Sequence, residues 1–133
     1  MRRFFAAAVL ILAWTGLAAG DDVADFKNGL DGVMRRAAIM IDDIGAGGDK
    51  KMAQTDMTEL RSAWAELMQR FAGKPPLANN SATVGPLTNI GMGLIATDLM
   101  VTLGRPDAAV QSLEALNNNL DILAKTVLLA RKR

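Results

Sequence analysis

The stretch PDAAVQSLEALNNNLDILAKTVLLARKR, residues 106–133, decides the fold. Its apolar residues fall at Ala109, Leu113, Leu116, Leu120, Leu123, Val127 and Ala130, so the steps alternate between 4 and 3. An α-helix turns once every 3.6 residues, and this alternation sets all of them on one face. Pro106 suits the first position of a helix, where the missing N–H costs nothing. Arg131, Lys132 and Arg133 suit its last turn, where the backbone dipole favours cations.

Two earlier segments carry the same rhythm. The first runs Val23, Phe26, Leu30, Val33, Ala37, Met40, Ile44; the second runs Ala53, Met57, Leu60, Trp64, Leu67, Phe71. Glycine and proline separate the segments: Gly45, Gly47 and Gly48, then Gly73-Lys74-Pro75-Pro76, then Gly104-Arg105-Pro106. Glycine past the end of one helix and proline at the start of the next is the expected asymmetry. No segment sustains the period-2 alternation of a strand. The pattern predicts an all-α chain with helices at about 22–44, 50–72, 85–103 and 106–131. Connections this short imply an antiparallel up-down-up-down four-helix bundle over residues 21–133. The longest connection joins the second helix to the third, and an insertion or a ligand lid would most naturally sit there.

The third segment differs. Leu87, Ile90, Leu94 and Val101 give a core stripe, yet Met92, Ile95, Leu99 and Met100 make the helix apolar nearly all round. Such a helix is either the most buried of the four or offers a second face to a partner. Met92, Ile95, Leu99 and Met100 are therefore the candidate partner or ligand face, with Asp98 beside them. Asp98 is the one charge in this helix. A buried carboxylate must be paired, and Arg35, Arg36, Arg61 and Arg70 are the available cations. Gly91 and Gly93 would let another backbone approach closely.

The N-terminus reads as an export signal. Arg2 and Arg3 precede an apolar run from Phe4 to Leu17, and Ala18-Ala19-Gly20 offers small residues for cleavage before Asp21. The run is short for a membrane span, which needs about 20 apolar residues. A signal peptide over residues 1–20 and a periplasmic location are expected, with an uncleaved anchor as the alternative. Cleavage removes two of the 15 basic residues and leaves 13 against 14 acidic ones. With no basic stripe and few aromatic residues, nucleic-acid binding is not expected.

The chain has no Cys and no His. That excludes disulfides, thiolate nucleophiles and zinc–thiolate sites, and it removes the usual acid–base group near pH 7. No nucleophile–base pair and no phosphate-binding glycine loop occurs. The expectation is a protein that is not an enzyme and carries no cofactor. Thioethers are soft ligands, so Met34, Met40 and Met57 are weak candidates for copper. The spacing argues for core filling instead, since no two of the chain's methionines lie three or four apart. Asp42, Asp43 and Asp49 flank the first break as solvated acids, and Asp49 can cap the second helix. In Asn117-Asn118-Asn119, two side chains should face solvent and one the interior or an interface.

The stretch from Leu99 to Leu116, with its Gly-Arg-Pro-Asp-Ala-Ala turn, resembles the third and fourth helices of the cytochrome c-prime and soluble b-type cytochrome bundles. The exit from Trp64 to Pro76 is similar to the end of their second helix. That resemblance implies a four-helix bundle carrying haem. The family's ligands are a Cys-x-x-Cys-His motif, or a Met with a His. The fourth helix here offers neither Cys nor His. The resemblance therefore implies a haem-free member, with atypical Met-ligated haem and electron transfer as an alternative. The expected role is binding, to an unknown protein partner or a second copy through the third helix, or to a small ligand in the bundle.

Overall fold

A computed structural model describes the backbone of residues 2–132 and the side chains of residues 22–129. The order is α1 (Arg2–Gly45), α2 (Lys50–Arg70), a short 3-10 turn (Ser81–Thr83), α3 (Val84–Thr102) and α4 (Pro106–Lys132). No strand occurs among the described residues. The chain is all-helical with four long helices, as the 3-4 rhythm requires. α1 starts well before the expected residue 22, because no proline interrupts the Ala- and Leu-rich segment ahead of it. The signal peptide expected at residues 1–20, Ala130 and the C-terminal cations lie outside the described side chains.

The stripe of each amphipathic helix forms the core. Along α1, Phe26, Leu30, Val33, Ala37, Met40 and Ile44 are buried; along α4, Ala109, Leu113, Leu116, Leu120, Leu123 and Val127 are. α2 contributes Ala53, Met57, Leu60 and Leu67, with Trp64 half-buried and Phe71 buried just beyond its end. Each helix packs on the next in chain order, and α4 returns to pack on α1. The pairs α1 with α3 and α2 with α4 do not pack on each other.

The helix ends obey local chemistry. At the end of α1, Gly47 N–H donates to Ile44 O at 3.0 Å and Gly48 N–H to Asp43 O at 2.9 Å. At the end of α3, Gly104 N–H donates to Val101 O at 3.1 Å and Arg105 N–H to Met100 O at 2.9 Å. Both are the same double-bonded glycine cap, and Gly47 and Gly104 take the left-handed backbone it requires, with φ of 88° and 70°. Asp49 caps α2 by accepting from Met52 N–H at 2.8 Å. α2 stops at Arg70, short of the expected 72, where Phe71 leaves helical geometry and Gly73 turns at φ 69°.

Candidate functional site: the outer face of α3

α3 buries Ile90, Leu94, Thr97 and Val101. Thr97 stands where the stripe called for an apolar residue. Its hydroxyl donates to Gly93 O at 2.8 Å, so burial leaves nothing unpaired. Gly93 lies on α4: a Cβ there would come within 3.3 Å of Leu116 Cδ1. Gly91 faces open space.

The opposite side of α3 is exposed and apolar. Met92 is 63% exposed, Ile95 72% and Leu99 51%. Val84 at 61% and Leu103 at 58% extend the stripe by two turns and one turn. Gly85, Thr88, Asn89, Ala96 and Thr102 are the other exposed positions, and none of them is charged. α2 shows what an ordinary solvated face looks like here, with Lys50, Lys51, Glu59, Arg61, Glu66 and Arg70 all exposed. Exposed apolar patches of more than a few hundred Å² mark protein or membrane interaction sites.

Of the sequence candidates, Met100 sits off this face and Asp98 at its edge. Met100 is not on this face; it is half-buried against the core, because one step past Leu99 turns it some 100° towards α4. Asp98 is not buried. It lies half-exposed at the edge and accepts from Arg61 Nη1 at 3.1 Å, which ties α3 to α2. Val84 and Leu103 were the residues the pattern missed, since both lie at the rim of the expected helix. Their spacing of eight before Met92 and four after Leu99 was the available signal.

The methionine candidates do not gather at the surface. Met40 and Met57 are fully buried in the core and Met34 packs at its edge. Among the described residues, no three His, Cys, Asp or Glu side chains come close enough to hold a metal ion. Of the asparagine triplet, Asn118 is exposed, Asn119 donates to Ala115 O at 3.1 Å, and Asn117 Oδ1 is buried without a partner.

Two recesses accompany the face. One, of about 130 Å³, lies where the end of α1, the start of α2, the end of α3 and the start of α4 meet, walled by Ile44, Ala53, Val101 and Ala109. It is smaller than the few hundred Å³ usual for small-molecule sites. The other is an open groove of about 480 Å³ between α1 and α2, floored by Gly32, Val33 and Ala63. Its rim carries Arg36, Arg70, Glu59 and Glu66, which balance in charge.

An acid pair bridges α1 and α2. Asp56 Oδ2 is buried with no hydrogen-bond partner, and Asp43 is its neighbour. Burial raises the Asp56 pKa from 3.8 to about 6, and the Asp43 carboxylate and the charge on Glu59 push the same way. A raised carboxyl pKa means that the folded state holds the proton more tightly. Its stabilising contribution is full below pH 3.8 and is lost as pH rises through about 6. Asp56→Asn should therefore stabilise the protein by about 1 kcal/mol at pH 8, allowing for solvent screening, and not at pH 3.5. Urea denaturation of both proteins at the two pH values measures this; an equal difference at both would refute the raised Asp56 pKa.

By length and composition, Ser81–Thr102 is apolar enough to cross a membrane, at a mean hydropathy of 1.3. It packs on α4, and its Asp98 pairs with Arg61 of α2. No protein-family model, no curated protein and no solved structure matches this chain.

Proposed function

We propose that this is an exported, periplasmic, non-catalytic four-helix bundle that works by binding a protein through the outer face of α3. One observation carries the reading: five large apolar side chains from Val84 to Leu103 lie exposed on a face without a single charge. A solvated helix face has no use for that composition, and a docking face does. The up-down-up-down arrangement is supported by short connections and by each helix packing on its chain neighbours. Export is supported by the basic start, the apolar run and the small residues before Asp21. A haem-free interior is supported by the absence of Cys and His, the side chains that hold haem iron in the bundles the sequence resembles.

The test uses the absence of native thiols. Ile95→Cys is labelled by a water-soluble maleimide in intact cells of the source organism and, in parallel, as dilute purified protein. The expected result is at least tenfold slower labelling in cells, because the partner covers residue 95. Lys51→Cys, on the solvated face of α2, should label equally fast in both. Equal rates for Ile95→Cys would remove the proposal.

A further inference from the structure

The outer face of α3 reads nearly the same in both directions. Reversing the helix about the midpoint between Gly93 and Leu94 exchanges Val84 with Leu103, Thr88 with Leu99 and Met92 with Ile95. The first and last of these exchanges set a large exposed apolar side chain opposite another. We infer that the partner is a second copy of this chain, paired antiparallel through α3 about a two-fold axis passing between Gly93 and Leu94. This rests on the proposed docking role of that face.

Charge favours the same occupant. The face offers no charge for an acidic or basic partner to complement, and two copies of it meet without like-charge repulsion. Asp98 at its edge is already neutralised by Arg61. Antiparallel pairing also sets the positive end of each helix dipole beside the negative end of the other. A closed two-fold contact uses the same patch on both copies, as this palindrome does. Gly91 leaves open space beside Ile95 into which a facing side chain can settle. The face is about 29 Å long and about 10 Å wide. Two such faces fall in the size class of weak, reversible interfaces, below about 1,200 Å². The dimer is therefore one that forms at high local concentration.

Register gives the test its edge. Single cysteines are placed in the full chain, expressed with export in a bacterial host, and bridged by a reagent with a span of about 10 Å. Met92→Cys and Ile95→Cys should each give covalent dimers with themselves, since like positions there are offset by only about 5 Å along the axis. Val84→Cys should not link to itself, its copies being about 28 Å apart, but should link to Leu103→Cys when the two are co-expressed. Adding Leu99→Glu should lower the Ile95→Cys dimer yield at least tenfold while leaving the circular dichroism spectrum and melting temperature in place. Equal dimer yields at Val84, Ile95 and Lys51 would mean random collision and overturn the inference. A product of Ile95→Cys with a mass other than twice the chain would overturn the second copy and leave the docking face standing. No product at any α3 position would overturn the second copy and leave the docking face to the labelling of Ile95→Cys in its own cells.

Discussion

Phe26→Ala should destabilise the folded chain by about 4 kcal/mol, the largest loss expected of any single truncation here. Phe26 is fully buried on α1. Its ring meets the Phe71 ring edge-on, with centroids 5.1 Å apart and planes at 84°. The truncation removes the transfer energy of the ring, leaves a cavity walled by a rigid helical core, and forfeits a further increment of about 1 kcal/mol from the aromatic pair. It also frees Phe71, which anchors the turn after α2 and carries the Arg70 guanidinium 5.3 Å from its ring centre. Urea unfolding monitored by circular dichroism measures the effect as a fall in midpoint at constant slope. A loss below 1 kcal/mol would mean that the two rings do not meet in the core. Phe71→Leu, which keeps much of the volume, should cost markedly less.

Gly48→Ala should cost about 2 kcal/mol, far more than the same change at Gly45. A Cβ at Gly48 would stand 2.7 Å from the Asp43 carbonyl oxygen and 2.8 Å from the Met52 sulfur. The sulfur belongs to a half-exposed side chain and can swing away. The carbonyl belongs to the last turn of α1 and accepts the N–H of Gly48 itself, so relief opens the bond that closes the helix end. Gly45→Ala meets nothing within 4 Å and should be neutral or mildly stabilising, because alanine is the better helix former. Thermal melts of the two variants side by side check the contrast. Equal melting temperatures would show that the turn is loose enough to absorb a methyl group.

Those two glycines mark a limit of what was legible. The cluster at Gly45, Gly47 and Gly48 announced a break, and the break is there. Which glycine is indispensable depends on the distance from a Cβ to a carbonyl five residues back, and spacing alone does not encode that distance. The core shows the opposite case. Every α1 position from Val23 to Ile44 picked by the 3-4 rhythm is buried. The α4 series from Ala109 to Val127 is buried as well. Helical periodicity is a local property, so a face can be read from residues a few positions apart.

The candidate face was legible in part. Met92, Ile95 and Leu99 stood out because α3 holds more apolar residues than one stripe can bury. Met100 was misplaced because periodicity alone cannot say where one stripe ends and its neighbour begins when both are apolar. Asp98 was expected to need an arginine, and four were in reach. Arg61 takes it because α2 packs beside α3, and that choice belongs to the packing. The acid pair of Asp43 and Asp56 was not legible. The two residues lie thirteen apart on different helices, and they meet only because α1 and α2 pack face to face.

The sequence by itself determined that this chain is all-helical, with four helices, which face of three of them is buried, and where the connections fall. These follow from steps of 3 and 4, from glycine and proline chemistry, and from the Asp49 cap, all of which act within a few residues. Only the tertiary structure decided which side of α3 remains uncovered, which cation neutralises Asp98, and that two acids share one site. Those are outcomes of how helices settle against each other. A helix that is apolar on all sides carries no local instruction for which side to bury; its neighbours decide, and here they leave the Met92–Ile95–Leu99 face to the outside.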